Sequence, residues 1–432
     1  MYPALLREPA LRVAEKIITS VARWKNARCL RFSPTSSLSV PRRTGTVPTL
    51  LYMHVPFCEE LCPYCSFNRV KFQEELARPY FEALRKEVLM YKALGYDFAA
   101  LYVGGGTPTI LMDELAATIA LIRTHFAIAE ISIETNPNHL TPDNLAALKE
   151  MGVNRLSVGV QTFDDELLKA LNRYHKYGSG RDIAQRLHYA QGIFDTLNVD
   201  LMFNFPMQTL RMLEKDLATI IGLGVDQVTY YPLMSSSQTQ EKMQQELGKV
   251  NYARGREFYT KVTDTLASHY TATTAWCFSR NDKMIDEYAV HYEEYAGLGS
   301  GAIGHIGGSA YANTFDIEAY TQKVNAGVLP IAAKRDFSLR DRLCYDFLMK
   351  LFGLRLNLSS VNEKHGVDMS YELWPEILFF RLIRGLTRQG DELQLTKHGR
   401  YYWLLMMREF FIGVNNFRDY CRAQIEEKRE IA

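Results

Sequence analysis

Cys58, Cys62 and Cys65 stand in the string YMHVPFCEELCPYCSFN, spaced C-x3-C-x2-C. Three thiolates are one fewer than a closed tetrahedral zinc site or a four-cysteine cluster needs. If they hold a [4Fe-4S] cluster, the fourth iron is left open to a ligand that is not protein. An open iron on a loop just after a strand-like run describes a reaction centre better than a structural staple. A zinc site completed by a distant residue and three unrelated thiols are the other readings, and the tight spacing argues against the last.

The elements that would position such a centre can be read from periodicity. Short β-rich runs begin at Leu51 (LYMHV), Ala100 (ALYV), Ile131 (ISIE), Arg155 (RLSVGV), Asn198 (NVDLMF) and Gln227 (QVTYY), with amphipathic segments such as PYFEALRKEVLMYKAL between them. Strand and helix in repetition predict an α/β fold with parallel strands and crossover helices. In β/α barrels chemistry gathers at the C-terminal ends of the strands. Gly104, Gly105 and Gly106 follow the second run and precede Thr107. Without Cβ atoms, their backbone lets a ligand come close, although a glycine run alone is more often a turn. Glu134 ends the third run. A carboxylate there can accept hydrogen bonds from a diol, although a strand-end glutamate is more often an exposed charge.

The cysteine string, with aromatic Tyr64 before its last cysteine, resembles the radical S-adenosylmethionine (SAM) superfamily. The words YVGGGTPT, IETNP, RLSVGVQTFDDELLKALNR and VDLMFNFP narrow the likeness to the group built around oxygen-independent coproporphyrinogen III dehydrogenase. That group also holds haem chaperones, anaerobic haem-degrading enzymes and class C radical SAM methyltransferases. The resemblance runs from about Thr49 to about Phe411. It implies a partial (βα)6 barrel and a C-terminal, mainly helical domain with winged-helix character, where the recurring LTxxG word reads Leu395-Thr396-Lys397-His398-Gly399. The expected division is 1–48, a basic amphipathic extension; 49–235, the barrel; 236–335, a barrel extension and cap; and 336–432, the helical domain. The cysteines would ligate three irons, and SAM would chelate the fourth through its amino and carboxylate groups. One electron would then cleave the sulfonium bond to give a 5′-deoxyadenosyl radical, with a flavodoxin or ferredoxin as reductant. Gly104, Gly105, Gly106 and Thr107 would hold the SAM amino group. Tyr52, Glu134, Gln161, Arg173 and Asp200 would complete the SAM site, Arg173 by a forked pair with the SAM carboxylate. Each of these polar residues could instead belong to a salt bridge of the barrel rim.

Three features separate members of the group. The coproporphyrinogen dehydrogenases carry a further cysteine two residues past the motif, where this chain has Phe67, and their N-terminal segment has no counterpart in the first fifty residues. The haem chaperones carry an H-N-x-x-Y-W word after the barrel, absent from the stretch beginning at Ala275, where His291 and His305 remain as candidate haem ligands. Fewer than sixty residues precede the motif, too few for a cobalamin domain. The tail LLMMREFFIGVNNFRDYCR resembles that of class C enzymes, thought to use two SAM molecules, which methylate menaquinone at C-8; Cys277 is a possible methyl carrier. The sequence expectation is therefore a methyltransferase acting on a hydrophobic quinone, with a haem- or porphyrin-handling protein as the alternative.

A lipophilic substrate suits two further features. Val13, Ile17, Val21 and Trp24 share one helix face, among Arg12, Lys16, Arg23, Lys25 and Arg28, a pattern for a membrane-surface anchor or for packing on the barrel. The run Tyr401–Ile412 is rich in Met and aromatics and would line an apolar pocket or fill the core. The 432 residues are 47% hydrophobic and 23% charged, with net charge +1. That balance is ordinary for a globular protein and gives no nucleic-acid footprint. Seven cysteines in this length do not form a disulfide scaffold, and Cys29, Cys277, Cys344 and Cys421 read as buried small side chains. No run of roughly eighteen apolar residues suggests a spanning helix, and no signal peptide is evident. The expected location is cytoplasmic, at most peripheral to the inner membrane face.

Overall fold

The protein is described from a computed structural model covering residues 8–32, 40, 49–280 and 292–431. His291 lies outside the described residues.

The six β-rich runs form six neighbouring parallel strands, Thr49–Val55, Phe98–Gly105, Glu130–Thr135, Arg155–Gln161, Thr196–Phe203 and Gln227–Pro232. The first strand is buried throughout. Leu51, Met53 and Val55 join the main core, while Leu50 and Tyr52 pack with Ala100 and Tyr102 on the opposite face. A strand covered on both faces reads as a continuous apolar run. Helices Glu74–Ala93, Met112–His125, Pro142–Glu150, Gly180–Ala190 and Leu210–Leu223 make the crossovers. Their starts follow local chemistry: the Thr141, Ser179 and Thr209 side chains accept backbone N–H groups at their helix N-termini, groups that would otherwise be unpaired.

The sheet is wider than the six strands expected. It has twelve strands, because Tyr295–Leu298 pairs in parallel with the first strand, and Ile303–Ile306, Ser309–Asn313 and Ile331–Asp336 continue it antiparallel. At the far edge Cys277–Ser279 and Thr271–Ala272 are added. The 236–335 segment, expected as a barrel extension and cap, contributes six strands to the main sheet. Its strands are short and broken by glycines, so they lack alternation. Gly297 shows why: a Cβ there would lie 2.4 Å from the Ile303 carbonyl oxygen. Glu87 bolts this extension to helix Glu74–Ala93, accepting from Gly299 N–H at 2.9 Å, Asn313 Nδ2 at 3.1 Å and Tyr320 Oη at 2.6 Å.

The C-terminal region is mainly helical, with Leu339–Phe352, Leu358–His365, Trp374–Leu382 and the long helix Lys397–Ile431 around a three-stranded antiparallel sheet. The Leu-Thr-x-x-Gly word marks the start of the last helix. Thr396 Oγ1 donates to the Arg384 carbonyl at 2.7 Å and accepts from Gly399 N–H at 3.0 Å. A Cβ on Gly399 would fall 1.8 Å from the Gly385 carbonyl oxygen.

The basic N-terminal segment forms helix Glu8–Cys29, which packs along the C-terminal helix. Its buried positions include Ala14 and Ile18, while Val13, Ile17, Val21 and Trp24 stay exposed. Arg23 joins Glu409 at 2.6 Å. The helix thus docks on the protein by a different face from the apolar row noted in sequence. Among the described residues no helix is long and apolar enough to cross a membrane.

Candidate active site

The cysteine loop is shaped by an arginine that the sequence reading missed. Arg69 Nη2 donates to the carbonyls of Cys62 at 2.6 Å and Cys65 at 2.8 Å. Charge-assisted bonds of this kind fix a loop that has little regular structure. Cys58 ends the short strand Phe57–Cys58, whose partner is Val70–Lys71. Gly106 presses against it: a Cβ would lie 2.5 Å from the Phe57 carbonyl oxygen and 3.0 Å from Cys58 Sγ. Burial pushes the Cys58 thiol up to about 11, so metal binding there must release a proton. All three cysteines line one cavity. Among the described residues no group of three or more metal-binding side chains forms a single-ion site, as the zinc reading would require. Three separated soft thiolates, flanked by Arg69 and Arg173, suit a cluster in which each sulfur takes a different iron.

The strand ends meet this loop. Arg155–Gln161 ends on Gln161, which has φ +75° beside an irregularity in the pairing and lines the cavity with Tyr52, Gly105, Gly106, Glu134, Arg173 and Asp200. Glu134 accepts from Tyr102 Oη at 2.9 Å and Gly105 N–H at 3.1 Å, and Gly104 leaves room for its carboxylate, since a Cβ there would meet it at 2.9 Å. Burial, then the charge of Asp200, pushes Glu134 up to about 7. Asp200 accepts from Ser157 Oγ at 2.8 Å and Asn198 Nδ2 at 2.9 Å. Tyr52 is 2.9 Å from His54 Nδ1, and His54 Nε2 is 2.8 Å from the Asn68 carbonyl. The carbonyl can only accept, so Nε2 carries the proton and Tyr52 donates to Nδ1. Burial pulls this imidazole down to about 4, leaving it a neutral relay. Gly105 has φ +119°, and a Cβ would lie 2.7 Å from the His54 ring.

Two of the expected residues have protein partners in this structure. Thr107 is absent from the cavity wall; its N–H donates to Phe57 O at 2.7 Å and its hydroxyl accepts from Asn136 Nδ2 at 2.8 Å, so it holds the loop from behind. Arg173 does reach the site, but Nη1 donates to Cys62 Sγ at 3.3 Å and Tyr64 Oη at 3.1 Å, and Nη2 binds the Gly159 carbonyl. Its guanidinium faces the cysteine loop. His54, Tyr102 and Arg69 were not singled out from sequence. The usable signal was the two-residue alternation that puts Tyr52 and His54 on one face of the first strand.

Beyond the strand ends the same cavity, about 720 Å3 in volume, opens between the N-terminal helix and the C-terminal region. This upper chamber is walled by Phe347, Phe379, Phe380, Met406, Phe410 and Phe411, with Ile17 and Val21 at the N-terminal helix. Part of the Tyr401–Ile412 run lines the chamber, while Tyr402 and Trp403 fill the core. Lys25 is held by Glu376 at 2.9 Å, and Arg418 lies over the Phe67 ring at 4.6 Å near the cysteine loop. His305 borders the chamber, but its Nε2 is enclosed and has no hydrogen-bond partner, with Phe337 and Tyr345 against the ring. Cys277 is fully buried and outside the chamber, whereas Cys29 and Cys344, expected to be buried, are partly exposed and line it.

The profile of the Radical SAM superfamily matches residues 52–220. The heme chaperone HemW of Lactococcus lactis is 30% identical over 284 residues, 63% of this chain and 74% of its own. The chain belongs to the radical SAM superfamily. Within it, the chain falls in the group of heme chaperones and coproporphyrinogen oxidases. HemW of Bacillus subtilis is 28% identical over 81% of this chain and 95% of its own. The oxygen-independent coproporphyrinogen III oxidase of Pseudomonas aeruginosa is 27% identical over 85% and 86%. The coproporphyrinogen III oxidase of Escherichia coli superposes with a TM-score of 0.71, at 23% identity, over 88% of this chain and 92% of its own, which shows a shared fold. Radical SAM membership brings a [4Fe-4S] cluster and SAM as cofactors, and the three thiolates fit the cluster. These relatives give no support to the menaquinone methyltransferase resemblance; they sit with the tetrapyrrole alternative.

Proposed function

We propose that the protein is a radical SAM protein whose upper chamber holds a large, flat, apolar ring of the tetrapyrrole class, haem before coproporphyrinogen. The observation that carries this is the continuity of the aromatic chamber with the strand ends and the cysteine loop, supported by relatives named as heme chaperones and coproporphyrinogen oxidases. Coproporphyrinogen carries four carboxylates spread around its rim. The chamber offers them little, because Lys25 is held by Glu376 and Arg418 stands beside Phe67. Haem has two carboxylates on one edge, which can stay at the mouth in water.

The reduced cluster, when bound, supplies the electron that cleaves SAM to a 5′-deoxyadenosyl radical. The chain's residues orient and shield. Glu134 and Asp200 offer acceptors to ligand hydroxyl groups, Gly105 and Gly106 give backbone approach, and Tyr52 is locked by His54. Arg173 and Arg69 place positive charge beside the thiolates, which raises the cluster potential. The aromatic chamber excludes water.

A second reading, methylation of a lipid-dissolved quinone ring, is favoured by the enclosure of His305 Nε2 and by the chamber's lack of an unengaged cation, since a quinone ring needs neither an imidazole ligand nor a carboxylate partner. The test is anaerobic incubation of the cluster-loaded protein with SAM and reductant, beside a haem titration. A saturable Soret shift with no methylated lipid supports the tetrapyrrole reading. A methylated quinone from membrane extract without haem binding replaces it with the second.

A further inference from the structure

Two helices border the chamber, and each carries an apolar row that is exposed among the described residues. On the N-terminal helix the row is Val13, Ile17, Val21 and Trp24, between 45% and 58% exposed. On helix Trp374–Leu382 it is Trp374, Leu378 and Leu382, spaced one turn apart, with Tyr371 just before them, between 45% and 76% exposed. The Lys25–Glu376 ion pair joins the two helices at 2.9 Å. Ile17 and Val21 from the first helix and Pro375 and Phe379 from the second line the cavity itself, so the rows run along its rim. Single exposed apolar side chains are ordinary, but two aligned rows beside one opening mark a contact surface.

The charges around the rows select the occupant. Arg12, Lys16, Arg28, Arg381 and Arg384 are exposed, and Arg28 lies over the Trp24 ring at 4.8 Å. Two nearby carboxylates are engaged: Glu15 with Arg256 at 2.6 Å, and Glu376 with Lys25 and Arg340. Apolar rows with tryptophan and tyrosine, fringed by unneutralised cations, match the layered chemistry of an anionic bilayer surface.

We propose that these two helices dock the protein on an anionic lipid surface with the chamber mouth facing the bilayer, so that an apolar ring passes between membrane and site without crossing water. The proposal holds for either ring of the preceding section. Docking needs no spanning segment; the rows would lie at the headgroup boundary.

The test is flotation of the full-length, cluster-loaded protein with vesicles of phosphatidylcholine alone and of phosphatidylcholine with phosphatidylglycerol. The wild type is expected to float with the anionic vesicles, and less so at high salt. Arg12→Glu with Lys16→Glu should weaken binding by about fivefold or more for each cation removed. Val13→Asp with Trp24→Asp, and separately Trp374→Asp with Leu382→Asp, should weaken it at least tenfold. None of these six residues lines the cavity, so iron content and SAM cleavage report whether each variant is folded. Absence of flotation on both vesicles overturns the proposal, as does flotation unchanged in folded variants. A wild-type dimer that the same aspartates dissociate, without lipid binding, also overturns it and makes the face a contact between copies. Failure of haem or quinone chemistry with flotation intact would count against the ring assignment alone.

Discussion

The lower and upper halves of the cavity are built by different rules. At the strand ends many polar groups have set partners: Tyr52 with His54, Tyr102 with Glu134, Ser157 and Asn198 with Asp200, Arg69 with the cysteine loop. Such a network has one good arrangement, because an unsatisfied buried group is costly. The upper chamber is walled largely by apolar side chains, with phenylalanine and methionine prominent among them, whose contacts are non-directional and tolerate changes of shape. The lower half is therefore the part a superfamily can share while chemistry stays the same, and the upper half is the part that sets the ligand.

If that contrast is right, damage below should abolish chemistry and damage above should alter only ligand choice. The largest effect is expected for Cys58→Ala, Cys62→Ala and Cys65→Ala together: loss of bound iron and of reductive SAM cleavage. A triple variant that still makes 5′-deoxyadenosine at the normal rate would refute the cluster assignment.

Arg69→Met removes two charge-assisted bonds, each worth roughly 1.5–3 kcal/mol. Cluster retention after gel filtration should fall at least tenfold while the fold, followed by circular dichroism, survives. Arg173→Met should act differently, keeping the cluster but lowering its reduction potential, because a positive charge leaves the side of Cys62 Sγ. Potentiometry separates the two, and an unchanged potential would remove Arg173 from that role.

Glu134 offers a pH test. Its carboxyl is raised to about 7 in the folded chain, so the native state holds a proton that the unfolded chain releases in the ordinary carboxylate range. The associated stability is present at low pH and lost as pH rises through about 7. Urea titrations of the cluster-free protein between pH 5 and 8 should show this decline, and Glu134→Gln should lessen it, leaving the share of Glu87 and Asp216, which burial also raises to about 7. In the loaded protein the sign reverses for SAM: the ionised carboxylate is the better acceptor, so affinity should increase through the same range and lose that dependence in Glu134→Gln.

The smallest effect on chemistry is expected above. Phe410→Ala should leave substrate-free SAM cleavage within about twofold, yet weaken ring binding by the several-fold to hundredfold that follows from a lost aromatic contact of roughly 1–3 kcal/mol. A variant that lost SAM cleavage instead would mean that the two halves are not separable.

The cysteine centre, the six parallel strands and the positions of the polar strand-end residues are legible in the amino-acid string alone. These follow from short spacings and local periodicity, and parallel strands necessarily bring their C-terminal ends together. The string also marked the apolar row on the N-terminal helix and the LTxxG word. Other features were decided by contacts between residues far apart in the chain. Nothing local to Arg69 announces that the cysteine loop closes around it, and nothing local to Arg173 announces its contact with Cys62, 111 positions away. The strand Tyr295–Leu298 is too short and glycine-rich to announce itself, and joins the sheet only because the open edge of Thr49–Val55 supplies its hydrogen bonds. The chamber and its rim likewise exist only where the two ends of the chain pack on each other. Packing at such separations depends on shape and burial, which no local pattern encodes.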